Sequence, residues 1–410
     1  YCLALRLCGE RGPARFAALL AACSFGLVLY AHMGNLDVPH CFWFVLSLYF
    51  FLGVLQRGRL FDYVAFGLSA GCAIGTKEGI IGAYVLTCAA IYAAHLRREL
   101  RASGSTGLRD LLAASLDRRL LALVGSMLIV YAVSINPFNW SGFLEHWKLW
   151  LPSQPRMAGF QERFFEGYLD LFRRIALDLR YAMGWPALAL CVAGLFYAPW
   201  RRRWSAVLLL PALSYVLFSI VPAKYAPMRF VLPLVPILAV FGGVLASRMI
   251  RVRPAARLLT VPLLAFVFGH AFLHSLNGDL ILVNDSRYLA EEWLRDNVES
   301  PARIGTFSTA QYLPRLAWLG HRVERIPEEE IGAPALRERS PDYLVLSSLY
   351  YPRFGGERRD WIEGLIAGDE GYREAWRGRG HSPLERWMGH RYALADVNPE
   401  LIILERSGHE

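Results

Sequence analysis

The sequence predicts an α-helical polytopic membrane protein with a small soluble α/β domain at its C terminus. Three observations lead to this class: the chain of 410 residues is 55% hydrophobic, only 19% of it is charged, and the charge is divided unevenly. Residues 1–274 hold 27 Lys and Arg against 12 Asp and Glu, whereas residues 275–410 hold 17 against 23. A soluble domain carries about a quarter charged residues. One uniform globular domain is therefore excluded, and so is a nucleic-acid binder, whose basic surface would be solvated.

Apolar stretches in residues 1–274 are the candidate membrane spans. They cover residues 14–31, 41–55, 63–75, 79–94, 120–135, 181–200, 204–221, 230–246 and 258–273, which predicts about nine spans. Several are shorter than the roughly 20 residues that cross a membrane core, but flanking Tyr, Trp and Arg can anchor them at the interface. The stretch 63–75 is the weakest, and the alternative is a half-span that folds back with 79–94. Because the chain begins at Tyr1 within an apolar run, we expect an N-terminal truncation that removes at least one upstream span.

Loop charges predict the side of the membrane on which each loop lies, because short loops rich in Lys and Arg stay in the cytoplasm. Alternate loops hold 18 positive residues against five acidic ones. The loops between them, 31–40, 76–78, 136–180 and 222–229, hold nine against seven and are assigned to the outer face. We therefore expect a multi-pass protein of the cell (inner) membrane, with residues 275–410 as an extracytoplasmic domain.

The tail from about residue 285 has the pattern of a soluble α/β domain. Residues 287–297 have the apolar spacing of a helix. The runs 303–307, 343–347 and 401–404 are rich in β-formers and are bounded by Pro, Gly or Asp, which predicts strands, and a further helix is expected over 360–366. We find no catalytic motif in the tail.

The lysines are few and share one predicted location. Of the 44 positive residues only Lys77, Lys148 and Lys224 are lysine, and all three fall in loops assigned to the outer face. An ammonium group is a compact point charge that suits phosphate and is not interchangeable with a guanidinium group. This distribution favours a shared phosphate-binding surface, and chance placement is the alternative.

The outer segment 31–40 (AHMGNLDVPH) contains the candidate catalytic residue, Asp37, between His32 and His40. A carboxylate this close to an apolar boundary is a functional candidate by default. The alternative is that Asp37 caps the N terminus of the following helix. The two histidines are candidates for substrate binding, and interfacial hydrogen bonding is their structural alternative.

A second outer segment, 221–235, places Lys224, Tyr225 and Arg229 just before the next span. Positive groups and an aromatic ring at the interface suit a lipid phosphate, and simple anchoring is the alternative.

The third outer segment, TKEG at 76–79, contributes Lys77 and Glu78, whose charges could also simply neutralise each other. Spans that break at Gly are tolerated only beside protein or water, so this segment favours a cavity. The long loop 136–180 carries Trp and amphipathic spacing, which predicts interfacial helices that cover the cavity.

Together these segments resemble the polytopic glycosyltransferases of the GT-C fold, in the group that includes bacterial family 39 proteins, protein O-mannosyltransferases and lipid A aminoarabinose transferases. The resemblance rests on an outward loop with Asp before a Phe-rich span (NLDVPHCFWF) and on a Gly-rich span that ends in Thr-Lys (LSAGCAIGTKEG). A late K-Y-x(3)-R-F-x-L-P-x-x-P segment completes it. The resemblance covers nearly all of residues 1–274.

The resemblance implies a GT-C-like transmembrane domain that transfers a sugar, with inversion, from a polyprenyl-phosphate donor to a glycan, lipid or protein acceptor at the outer face. It implies that Lys224 and Arg229 hold the donor phosphate, and that Asp37 orients the acceptor or a divalent metal. The family's principal catalytic acid lies in its first outer loop, which we expect upstream of Tyr1. The alternative function is a lipid or solute transporter or flippase. Against it stand the exported tail, the long outer loop and the lack of an inverted repeat with paired broken helices.

Overall fold

A computed structural model describes residues 1–104, 107–134, 140–142, 144–145, 164–198, 203–224, 226–349, 355–388 and 398–408. The chain divides into two compact units, Tyr1–Ser275 and Leu276–Glu410. The boundary lies one residue from the one expected at 274/275. About half of the expected outer loop, including Lys148, lies outside the described residues, so its role as a cover stays a prediction.

The first unit is helical in its described parts. Its helices are α1 Cys2–Cys8, α2 Arg11–Ala22, α3 Phe25–His32, α4 Asp37–Gln56, α5 Leu60–Thr76, α6 Ile81–Ser103, α7 Leu108–Ser115, α8 Arg118–Ser134, α9 Phe164–Met183, α10 Trp185–Tyr197, α11 Arg203–Tyr215, α12 Val221–Ala223, α13 Met228–Val231, α14 Leu234–Ile250 and the first part of α15 Pro254–Val283, which continues past Ser275. A 3₁₀ turn, Glu78–Ile80, precedes α6, and a π-helical segment, Val216–Ile220, follows α11.

The apolar helices support a helical membrane protein, although with fewer full-length spans than expected. Among the described residues, Asp37–Gln56, Glu78–Ser103 and Pro254–Asn297 are long and apolar enough to cross a membrane. Two bent helix pairs raise the number to five if each pair is one span. Three further apolar helices, Leu60–Thr76, Val207–Ala223 and Leu234–Ile250, are shorter.

The bent pairs correct two of the predicted spans. The stretch 14–31 is not one helix, because α2 and α3 meet at an angle of 52°. The stretch 181–200 is interrupted at Gly184, where α9 and α10 meet at 115° and the backbone has a φ of 77°, a conformation that favours glycine.

Serine hydroxyl groups satisfy backbone carbonyls at these two bends. The hydroxyl of Ser24 donates to the carbonyl of Ala182 at 2.7 Å, and the hydroxyl of Ser275 donates to the carbonyl of Cys23 at 2.9 Å. Interruptions in apolar helices are stable when side chains of neighbouring helices bind the freed backbone groups. The two bends are therefore tied to each other and to α15.

Helices α4 and α5 form an antiparallel hairpin. Helix α4 has 20 residues, which is about 30 Å at 1.5 Å per residue. At the turn end of the hairpin, buried Asp62 of α5 pairs with Arg57. At the other end Lys77, the residue after α5, pairs with Asp37, the first residue of α4. Helix α5 therefore returns along the length of α4, which argues against the half-span alternative for 63–75.

A row of glycines lets α5 lie directly on α8. Gly67, Gly71 and Gly75 recur every four residues and so share one face of the helix. A Cβ atom on Gly71 would lie 2.8 Å from the carbonyl oxygen of Met127 and 2.9 Å from Cβ of Val130. Small residues at this spacing allow helix backbones to approach closely. This contact positions the axis of α5, and with it Lys77 beyond its end.

We expect Gly71→Ala to destabilise the protein by about 1–3 kcal/mol, since the added methyl group overpacks a backbone contact. Gly125→Ala in α8 is the matched control, because a Cβ atom there meets nothing within 4 Å. It should be neutral or slightly stabilising, since Ala is the better helix former. Thermal unfolding of the purified protein in detergent measures both. Equal midpoints for the two variants would contradict the close packing of α5 on α8.

The second unit contains a five-stranded sheet in the order β2-β1-β3-β5-β4. Its elements are α16 Ser286–Asn297, β1 Arg303–Thr306, β2 Arg322–Arg325, α17 Ala333–Arg339, β3 Tyr343–Ser347, α18 Glu357–Ala367, β4 Tyr372–Gly378, α19 Glu385–Met388 and β5 Leu401–Arg406. Strand β1 is parallel to β2 and β3, whereas β5 is antiparallel to β3 and β4. The coarse prediction of a helical protein with a small C-terminal sheet region is confirmed.

The three predicted strands are the three central strands of this sheet, and both strands that the sequence did not predict lie at its edges. All four residues of β2, RVER, are exposed. Polar and charged residues are common on edge strands, where they discourage pairing with other chains, and they hide the alternation on which strand prediction depends. The expected helices 287–297 and 360–366 lie within α16 and α18.

Candidate functional site

Asp37 is completely buried, with 0% of its surface exposed. The N-cap residue of α4 is Leu36, and Asp37 is the first helical residue. One carboxylate oxygen, Oδ1, pairs with the ammonium group of Lys77. The alternative of Asp37 as an N-cap is therefore wrong, although the N-terminal end of α4 still favours a negative charge there.

The second carboxylate oxygen of Asp37 has a different environment. Oδ2 is buried and makes no hydrogen bond with any residue that the structure describes. A buried acceptor without a donor costs about 1–3 kcal/mol, and more when the group is charged. This oxygen is therefore suited to receive a hydrogen bond from a bound hydroxyl group.

Lys77 joins two segments that are far apart in the sequence. Its ammonium group pairs with Asp37, which lies 40 residues away, and lies 5.2 Å from the centre of the Phe230 ring. An ammonium group over the face of an aromatic ring is attracted by the electrons of the ring. The ion pair of Lys77 is with Asp37 and not with Glu78, which argues against the alternative that these two neighbours merely neutralise each other. Glu78 begins the 3₁₀ turn and is half-buried.

Phe230 belongs to the second outer segment, 221–235, and brings that segment to the same end of the helical unit. The guanidinium carbon of Arg229 lies 5.9 Å from the centre of the Phe230 ring, and Arg229 is exposed. Lys224 follows α12 in a left-handed conformation with a φ of 49° and is half-buried. Tyr225 lies outside the described residues.

The two histidines near Asp37 differ in burial. His40 is 3% exposed, and its ring lies beside the backbone carbonyl of Asp37. Neither of its ring nitrogens is in hydrogen-bonding geometry with a described residue. His32, the last residue of α3, is exposed. The structure therefore places His40, but not His32, in the buried surroundings of Asp37.

Two aromatic residues of this region were not among the predicted site residues. Phe230 follows Arg229 directly and lies in the predicted segment 221–235. This position was the sequence signal that could have identified it as a site residue. Tyr215 is 3% exposed and lies within electrostatic reach of Asp37. Its neighbour Ser214 donates to the carbonyl of Gly82 at 2.5 Å and accepts the N–H of Leu86 at 3.0 Å, which holds α11 against α6. Nothing in the local sequence indicates this contact.

A divalent metal at Asp37 stays a prediction. Within the described ranges, no three His, Cys, Asp or Glu side chains are placed to hold a metal ion together. The positive charge beside Asp37 comes from Lys77. The arrangement offers a carboxylate oxygen for a hydroxyl group and cationic side chains for a phosphate group.

Residues 1–109 of the chain match the family model described as dolichyl-phosphate-mannose-protein mannosyltransferase. This part is therefore similar to glycosyltransferases of the GT-C type. The matched range contains Asp37 and Lys77 and ends before the segment of Lys224, Arg229 and Phe230. No protein in the curated collection matches the chain.

Proposed function

We propose that the protein is a GT-C-type glycosyltransferase that moves a sugar from a polyprenyl-phosphate donor to an acceptor at the outer face of the membrane. The observation that carries this proposal is the meeting of Asp37, Lys77 and Phe230, which come from three distant segments. The family match over residues 1–109 supports sugar transfer. Because its description names a mannosyl donor, polyprenyl-phosphate-mannose is the first donor to test.

The donor phosphate is the leaving group in this reaction. The bond between the anomeric carbon and the phosphate oxygen breaks, and the polyprenyl phosphate gains negative charge. Fixed positive groups stabilise such a charge as it develops. Lys224 and Arg229 hold the phosphate in this proposal. The ammonium group of Lys77 lies 5.2 Å from the ring centre of Phe230, the residue that follows Arg229.

The acceptor hydroxyl attacks the anomeric carbon from the opposite face, which inverts its configuration. Oδ2 of Asp37 accepts the hydrogen bond of this hydroxyl group, orients its oxygen and takes its proton as the new bond forms.

We expect Lys224→Ala to raise the KM for polyprenyl-phosphate-mannose about tenfold or more, since a hydrogen bond to a charged group contributes roughly 1.5–3 kcal/mol. Lys224→Arg should keep part of the affinity because it keeps the charge. Arg253→Ala, at an exposed position in a loop assigned to the inner face, is the control. Transfer of labelled mannose at varied donor concentration measures all three. A KM that Lys224→Ala leaves unaltered would exclude Lys224 from phosphate binding.

The second candidate is a lipid or solute transporter, which the two bent helix pairs favour, because transporter sites are commonly formed by discontinuous helices. Proteoliposomes containing labelled polyprenyl-phosphate-mannose and acceptor-bearing membrane extract separate the two functions. A transferase forms a labelled product in which mannose is bonded to an acceptor. Movement of the intact donor across the bilayer without such a product would favour the transporter.

A further inference from the structure

The end of α4 opposite Asp37 holds one buried carboxylate and three arginines. Asp62 pairs with Arg57, and Arg6 lies 3.8 Å from the same carboxylate oxygen. Arg98 of α6 donates to the last carbonyls of α4, those of Val54 and Leu55, at 3.1 and 3.3 Å. We call Arg6, Arg57 and Arg98 the arginine cluster. With Asp62 as its acidic partner, the cluster has two positive charges in excess.

Two glycines make room for these guanidinium groups at the end of α4. A Cβ atom on Gly53 would lie 2.9 Å from Nη2 of Arg6, and one on Gly58 would collide with the guanidinium group of Arg98. Gly58 also has a φ of 63°, which favours glycine in this turn. Arg6 and Arg98 are therefore seated in the helix end, whereas Arg57 is exposed.

The cluster contains hydrogen-bond donors that the described residues do not use. Nη2 of Arg6 and Nη1 of Arg98 are buried and make no hydrogen bond with the described part of the chain. The side chain of Arg6 is only 10% exposed. Leaving a buried charged donor without an acceptor is costly, and a bound anion removes that cost.

We propose that the arginine cluster binds the phosphodiester headgroup of an anionic membrane lipid. Guanidinium groups match phosphate oxygens with paired N–H donors, and basic pockets between membrane helices bind anionic headgroups. A lipid is favoured over a free anion because the cluster lies where the apolar helix α4 ends and Phe61 beside it is 68% exposed. The ring of Phe61 is an apolar contact for an acyl chain. This site is independent of the proposed sugar transfer.

Native mass spectrometry of the intact protein with added phosphatidylglycerol or phosphatidylcholine tests the site. We expect retention of phosphatidylglycerol in preference to phosphatidylcholine. Arg98→Gln should lower the affinity for phosphatidylglycerol about tenfold, as expected for the loss of a charge-assisted hydrogen bond. Arg97→Gln is the matched control, because it removes the same charge from the exposed neighbouring residue. It should change the affinity less than about twofold, since exposed charges are screened.

Three results would overturn the proposal. Equal retention of the two lipids would show that no headgroup is selected. Equal losses in Arg97→Gln and Arg98→Gln would show diffuse attraction and no seated headgroup. Displacement of phosphatidylglycerol by inorganic phosphate would show a site for a free anion.

A photoactivatable phosphatidylglycerol on the unmodified protein tests the same site without a substitution. This crosslinking experiment still tests the site if Arg98→Gln fails to fold. We expect crosslinks to peptides that contain residues 1–10 and 53–62. Crosslinks confined to other peptides would overturn the proposal.

Discussion

Asp37→Asn should abolish sugar transfer and leave the helical unit folded. The amide has nearly the same shape as the carboxylate but cannot take a proton from the acceptor hydroxyl or carry the charge that pairs with Lys77. Removal of a group that assists proton transfer lowers turnover about 10²–10⁴-fold. Labelled mannose transfer measures the turnover, and thermal unfolding measures the fold. Donor binding should persist, because the phosphate is assigned to other residues.

Asp117→Asn is the matched control for this loss. Asp117 also pairs with a cation, Arg119, at 2.8 Å, but it lies between α7 and α8, outside the candidate site. The pair lowers the pKa of Asp117, chiefly through the Arg119 hydrogen bond, so its contribution to stability is present above the ordinary pKa of an aspartate and is lost as the pH falls. At neutral pH this variant should keep its turnover. Normal turnover in Asp37→Asn would instead remove Asp37 from the reaction.

Lys77→Met should destabilise the protein by about 3–5 kcal/mol, the usual cost of leaving one partner of a buried ion pair without the other. The carboxylate of Asp37 would then be a buried charge with no cation beside it. Adding Asp37→Asn to Lys77→Met should restore most of the lost stability, because it removes the uncompensated charge. Sugar transfer should stay absent in the double variant.

Thermal and detergent-induced unfolding of the four proteins in this cycle gives the coupling energy between the two residues. Recovery of stability without activity would separate the structural role of the pair from its chemical role. If Lys77→Met is as stable as the unchanged protein, the ion pair contributes nothing and the proposed geometry of the site is wrong.

The sequence predicted much of the helical pattern but neither bend. Residues 14–31 form one continuous apolar run, and the local signal for a break at Cys23 and Ser24 is weak, because neither residue prevents a helix. The bend depends on contacts with two other helices. The hydroxyl of Ser24 donates to a backbone carbonyl of α9, and the hydroxyl of Ser275 in α15 donates to the carbonyl of Cys23. Similarly, the central strands of the second unit were predictable because they are mostly buried and rich in β-formers. The edge strands were not, because their exposed residues follow no apolar alternation.

For the candidate site, the sequence predicted the residues of three segments and an outer face that they share. It left open whether Asp37 caps a helix and whether Lys77 pairs with Glu78. The structure decides both, because the α4–α5 hairpin places Lys77 beside Asp37. The functions of these residues, and of Lys224 and Arg229 with them, stay proposals that the variants above test.

By itself, the sequence determined which segments avoid water and which loops carry the positive charge. These properties follow from the free energy of transferring each residue out of water. This free energy adds up along the chain and does not depend on which residues are neighbours in space. Only the tertiary structure decided that Asp37 meets Lys77 across 40 residues and that Lys77 lies over Phe230. Such contacts depend on how closely whole helices approach each other. Gly71 and the neighbouring glycines of α5 allow this approach through packing, and not through a local preference for one secondary structure.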